Sequence, residues 1–187
     1  FINRLSLMSP SEIFYRVTNI MISYIQKSFT NLFYSVPKIK LNKNHKSLWF
    51  SPKRNFDKLI YKNAANEIIS GNFDIFELKE EAIGFPPHWN KDPKTKIEAP
   101  LHFGKTLNYH DKNLVGDIKY LWEINRHLEL VTIAQAWFLS EDKKYLKAID
   151  GYINSWIDQC PNLSGPNWAS ALEAAIRLIN WSLSWQL

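Results

Sequence analysis

Residues 117–187 fix the class of fold open to this chain. Apolar residues recur there at helical spacing, and the pattern halts only at short polar breaks. Gly116-Asp117 opens a helix that the periodicity carries to about Leu139, with Asp117 as its cap. Ser140-Glu141-Asp142 starts another, which ends near Cys160-Pro161. Leu163-Ser164-Gly165-Pro166-Asn167 reads as a loop, with Asn167 placed to cap a third helix from Trp168 or Ala169. Helices joined by connections this short fold back as antiparallel hairpins, so the expected class is all-α.

The upstream chain divides into two further parts. Residues 1–71 hold N-terminal helices and a linker. In Ser9-Pro10-Ser11-Glu12, Ser9 can cap, Pro10 suits the first helical position and Glu12 completes a capping box. Ile13, Phe14, Val17, Ile20, Met21, Tyr24 and Ile25 follow at helical spacing. Residues 30–54 read as a polar linker with one apolar patch, Leu48-Trp49-Phe50. A second helix runs from about Phe56 to Ser70, stopped by Gly71. Residues 72–116 alternate weakly through Phe73, Ile75, Phe76 and Leu78, then become a long loop rich in Pro. A loop of that length in a compact domain is commonly functional.

Composition removes several classes of function. At 187 residues, one domain with a sizeable core is the expectation. One Cys rules out an intramolecular disulfide and any zinc site built on several thiolates. No His pair has a recognised ligand spacing, so neither a metal nor another cofactor is expected. No apolar run approaches a membrane span, and no Gly-rich phosphate loop or nucleophile elbow is present. The 23 basic and 18 acidic side chains leave a net charge of +5, concentrated in residues 1–100. Scattered lysines such as Lys38, Lys40, Lys43, Lys46 and Lys53 form either a solvated surface or an anion-binding face. For the second reading, a polyanionic sugar fits better than nucleic acid, because no nucleic-acid motif accompanies them. The chain starts at Phe1 and ends inside a helical pattern, so it reads as a piece of a longer protein.

Three constellations could carry chemistry. In Trp122-Glu123-Ile124-Asn125-Arg126-His127, helical spacing puts Glu123, Arg126 and His127 on one face. They are either an ion pair beside a satisfied histidine or a fixed guanidinium suited to a carboxylate or sulfate. In Gly165-Pro166-Asn167-Trp168, Asn167 either only caps a helix or joins Trp168 in holding a sugar ring. Glu173 and Arg177, four apart, most simply pair with each other, or else bridge to Arg126 or Glu123. The loop with His88, Trp89 and Asp92, near His102 and His110, is the third candidate. Cys160 before Pro161 reads as packing, since no activating partner is identifiable.

A family resemblance rests on these same residues. The order Ile83-Gly84, Trp89-Asn90-Lys91-Asp92-Pro93, Leu107-Asn108-Tyr109, Gly116-Asp117-Ile118-Lys119 and Trp122-Glu123-Ile124-Asn125-Arg126-His127 resembles the N-terminal domain of the heparinase II/III-like polysaccharide lyases. It continues through Ala134-Gln135-Ala136-Trp137, Asp142-Lys143-Lys144-Tyr145, Trp156-Ile157 and Pro161. Gly165-Pro166-Asn167-Trp168, Leu172-Glu173, Ile176-Arg177 and Asn180-Trp181 complete it, over roughly residues 70–187. The stretch Leu7–Ile13 with Arg16 is similar but less specific.

The resemblance implies an incomplete (α/α) toroid, continued in whole proteins by further toroid helices and a β-sandwich. Such lyases cleave uronate-containing polysaccharides by β-elimination and act in the periplasm or outside the cell. A Tyr, often with a His, moves the proton at C5, and an Asn or His neutralises the uronate carboxylate. All of these lie beyond Leu187 in the family's order, so no catalytic residue is carried over here. Glu98 departs from the aromatic or basic residue that relatives tend to have before Pro100. The expected sugar-cleft residues are Trp122, Arg126, His127, Asn167 and Trp168, with Glu123, Glu173 and Arg177 as an ion network. Two other readings stay open: a non-catalytic glycan-binding module and a helical scaffold. If the toroid is incomplete, Trp181, Leu183, Trp185 and Leu187 should present an apolar surface.

Overall fold

The computed structural model describes residues 8–33 and 55–187. The expected linker and its Leu48-Trp49-Phe50 patch lie outside the described residues. The chain divides into two units, Phe1–His45 and Lys46–Leu187. The helix expected near residues 56–70 lies in the larger unit.

In the smaller unit, helix α1 spans Pro10–Phe33. Ser9 Oγ accepts from the Glu12 amide at 3.2 Å, which is the first half of the capping box. Glu12 pairs with Arg16 one turn on, at 2.8 Å.

The larger unit is predominantly helical. Helix α2 spans Lys58–Ile69, and the Asp57 carboxylate caps it by accepting from the Leu59 amide. The chain then leaves the helix at Gly71, at φ +96°. Gly84 lies so close that a Cβ on Gly71 would stand 2.9 Å from its Cα. Strands β1 (Asn72–Ile75) and β2 (Leu78–Ala82) form an antiparallel hairpin with an irregularity between Phe73 and Ile75. Phe73 and Ile75 point into the core, which is why the alternation there was weak but legible. The loop to residue 116 follows, with a 3₁₀ turn at Gly104–Thr106.

Six elements complete the unit. Helices α3 (Lys112–Val115), α4 (Ile118–Ile124), α5 (Leu128–Ser140) and α6 (Lys143–Gln159) precede a 3₁₀ turn at Pro166–Trp168 and helix α7 (Ala171–Gln186). Helix α5 is the centre, packed against α2, α6 and α7. Its Leu130, Ile133, Ala134, Ala136 and Leu139 are buried, as a helix with apolar residues around its circumference must be. One core cluster joins Phe73, Trp89, Tyr120, Ile124, Leu130, Tyr152 and Trp156.

Two helix boundaries differ from the sequence reading. The single helix expected from Asp117 to Leu139 is broken at Asn125–His127, where His127 is left-handed at φ +60°. Asn167 does not cap α7; it sits inside the 3₁₀ turn, and Ser170 precedes the helix. Both differences come from long-range bonds that local spacing cannot reveal. On α7, Trp185 is 86% exposed, but Trp181 is half-buried against the core, so the apolar surface expected there is only partly present.

Candidate functional site

The break between α4 and α5 organises the residues singled out above. A helix ending inside a protein leaves carbonyls without partners. Here α7 supplies them. Arg177 Nη1 donates to Asn125 O at 2.8 Å, and Asn180 Nδ2 donates to Arg126 O at 2.8 Å. Arg177 Nη2 also donates to Asn167 O at 2.9 Å, tying the 3₁₀ turn to the same point. The guanidinium lies over the ring of Trp156, 4.3 Å from its centroid. Burial lowers its pKa to about 10, which leaves it charged at neutral pH.

Asn125 is a hub that the sequence reading missed. Its amide donates to Trp89 O and Leu121 O, and its carbonyl accepts from Trp156 Nε1, all at 2.8 Å. Nothing in the sequence separates it from an ordinary surface asparagine.

Two residues expected on the cleft wall are fully buried instead. Asn167 Nδ2 reaches Trp89 O, Asn90 Oδ1 and Cys160 Sγ, so its NH2 group is committed to the core, while its Oδ1 is buried without a partner. His127 is enclosed by the rings of Trp89, Tyr152, Trp156 and Trp181. Its Nδ1 accepts from Trp181 Nε1 at 2.7 Å, so the neutral imidazole carries its proton on Nε2. Burial and the nearby Arg177 charge hold its pKa well below the usual histidine range. It turns inward because the chain leaves the helix there.

Of the remaining expected residues, Arg126 and Glu123 are partly exposed, and Glu173 is buried beneath them. Arg126 Nε and Nη2 grip both carboxylate oxygens of Glu173, at 2.7 and 3.1 Å, and Nη1 pairs with Glu123. Glu173 therefore bridges to Arg126 and not to its helical neighbour Arg177. The bond to Glu173 is the main reason the Arg126 pKa is raised. With two carboxylates around one guanidinium, Arg126 is not the free cation that a carboxylate or sulfate would seek. Its fork still has two unused N–H groups.

Trp122 stands one turn before Arg126. Its Nε1 donates to Pro166 O at 3.0 Å, which anchors the indole to the Gly165–Trp168 turn. Its ring faces Tyr109 at 5.2 Å between centroids, tilted by 51°, and Tyr109 in turn lies 4.3 Å from the His110 ring. Trp122 and Tyr109 are both half-buried, so part of each ring meets solvent. Tyr109 was quoted for the resemblance but not as a site residue; an aromatic in a long loop is its only sequence signal. Trp168, also half-buried, donates from Nε1 to Cys160 O and leans on Trp156 at 5.7 Å. Its ring is chiefly part of the core edge.

The loop candidates separate in the same way. Asp92 is fully buried and accepts from Lys94 N, Thr95 N, Thr95 Oγ1 and Asp117 N, so it fastens the loop. A Cβ on Gly116 would collide with that carboxylate. Trp89 is buried and donates to Ser155, while His88 is exposed. Among the described residues, no group of three or more His, Cys, Asp or Glu could hold a metal ion.

A second feature lies elsewhere. A cavity of about 370 Å³ is lined by Glu67, Asp74, Glu80, Glu129 and Thr132 among others. Tyr152 donates to Glu129 Oε2 at 3.3 Å, and burial pushes the Glu129 carboxyl up to about 7.

No family model, curated protein or solved structure matches the chain. The resemblance therefore rests on the quoted residues alone; of these, Trp89, Asn125, Arg126, His127, Trp156, Arg177, Asn180 and Trp181 meet at the α4–α5 break.

Proposed function

We propose that the chain is the early part of a toroid in a heparinase II/III-like polysaccharide lyase, and that it forms one wall of a groove for uronate-containing polysaccharide. The observation that supports this reading is the half-exposed Tyr109–Trp122 pair beside Arg126 and Glu123. Tilted aromatic faces next to a fixed ion pair suit a sugar ring, which offers apolar C–H faces and hydroxyls at its edge. The proton-transfer groups belong to later toroid helices and the β-sandwich in such enzymes, and the protein would act in the periplasm or outside the cell.

The same aromatic pair suits a second reading, a glycan-binding module without chemistry. Titration with uronate oligosaccharides, followed by calorimetry, tests the wall. Trp122→Ala should weaken binding about tenfold. Equal binding by the two proteins would refute the wall. Release of unsaturated uronate by the intact protein, read by its absorbance, then separates a lyase from a binding module.

A further inference from the structure

Helix α1 has 24 residues, about 36 Å at 1.5 Å each. At about 100° per residue, Phe14, Val17, Ile20, Met21, Tyr24 and Ile25 fall within an arc of about 140°. Glu12, Arg16, Asn19, Ser23 and Lys27 fall outside it, and the exposed Tyr15, Ile22 and Phe29 widen the apolar surface on one side. Among the described residues the arc is exposed: Phe14 is 74% exposed, Met21 60% and Ile25 54%. Besides the Tyr24 phenol, the hydroxyls of Thr18 and Ser28 lie in or beside the arc, and each bonds back to the helix itself, Thr18 to Phe14 O and Ser28 to Tyr24 O. The arc therefore offers little but carbon to whatever meets it.

Charge adds a second, independent observation. Residues 1–54 contain nine Lys or Arg (Arg4, Arg16, Lys27, Lys38, Lys40, Lys43, Lys46, Lys53 and Arg54) against one acid, Glu12, a net charge of +8. Residues 55–187 hold 14 basic and 17 acidic side chains, a net charge of −3. The whole cationic excess is thus gathered on the part of the sequence that holds the exposed helix.

We infer that α1 is a peripheral anchor that lies in the plane of an anionic lipid bilayer, its apolar arc in the acyl boundary, drawn there by the cationic excess of the sequence around it. Among the described residues, no helix is long and apolar enough to cross a membrane, which fits lying in the interface. A soluble polyanion would engage the charge but leave the arc in water. A partner helix would need only a narrower apolar seam.

Cosedimentation of the full chain with lipid vesicles tests this. The chain should bind mixed phosphatidylserine–phosphatidylcholine vesicles. Binding to phosphatidylcholine alone should be at least about tenfold weaker, since each cation near an anionic surface adds about fivefold. Met21→Asp with Ile25→Asp should lose at least about tenfold on the mixed vesicles. The near-UV signal of the tryptophans, none of which lies in α1, should stay unchanged. Met21→Leu with Ile25→Leu should retain binding. No binding to mixed vesicles overturns the proposal. So does undiminished binding by the aspartate variant, which is the result for attraction by charge alone.

Discussion

Arg177 makes the strongest quantitative demand on this account. Its two hydrogen bonds, 2.8 Å to Asn125 O and 2.9 Å to Asn167 O, are charge-assisted and contribute about 2 kcal/mol each. The Trp156 ring beneath the guanidinium adds about 2 kcal/mol when desolvated. Against these stands the cost of burying the charge. The pKa falls from 12.5 to about 10, a penalty of about 3 kcal/mol. The balance leaves about 3 kcal/mol that Arg177→Met should remove while keeping most of the volume. Urea unfolding followed by tryptophan fluorescence measures it. The midpoint should drop with the slope unchanged. Arg177→Lys should fall between the two, because an ammonium cannot span both carbonyls in one plane. A loss below about 1 kcal/mol for the methionine variant would mean that the α4–α5 break does not depend on this side chain.

Three other outcomes follow from the buried groups. Glu129 titrates at about 7 when folded against 4.5 when free, so its folded state binds more protons between those values. Its contribution therefore falls as pH rises from 4.5 to about 7, by up to about 3 kcal/mol, and the wild-type minus Glu129→Gln difference in stability should show that fall. His127 should appear in ¹⁵N spectra as the Nε2–H tautomer and stay neutral through pH 6.5, until acid unfolds the chain. Burial pushes the Cys160 thiol up to about 12, so a thiol reagent at pH 8 should react only as fast as the protein opens.

Much of the local structure was legible in the sequence. Asp117 caps its helix as read, accepting from Lys119 N, and the helix expected to start at Ser140-Glu141-Asp142 is capped by Asp142, which accepts from Lys144 N. Gly71 ends α2 at a positive φ, where Gly has no steric penalty. These are short-range effects, and the residues that produce them lie within four positions of each other. The break at Asn125–His127 was not legible. Nothing between Ile118 and Ser140 forbids a continuous helix; the carbonyls of Asn125 and Arg126 are taken by side chains 52 and 54 positions away. The same reason moved Glu173 from Arg177 to Arg126. Helical spacing predicts only which residues can meet along one helix. For the candidate site, Trp122, Glu123 and Arg126 were found because they share α4 and its final turn. Tyr109 was missed because a loop residue has no period to betray its neighbour.

The placement of charge also narrows what such a wall can recognise. Arg126 with Glu123 and Glu173 carries a net −1, and buried Arg177, which interacts with the Glu173 charge, offsets it. A site neutral overall, with two spare guanidinium N–H groups and a carboxylate edge, suits sugar hydroxyls better than a uronate carboxylate. On the proposed reading, the rings of Tyr109 and Trp122 would hold the sugar, and the acid group would be neutralised elsewhere in the groove. Glu123→Gln distinguishes the two modes. It removes one anion beside Arg126 while keeping an acceptor in place. If the acid group met Arg126, that change should tighten uronate oligosaccharides well beyond their neutral counterparts. Recognition through hydroxyls predicts instead that both kinds of oligosaccharide respond alike.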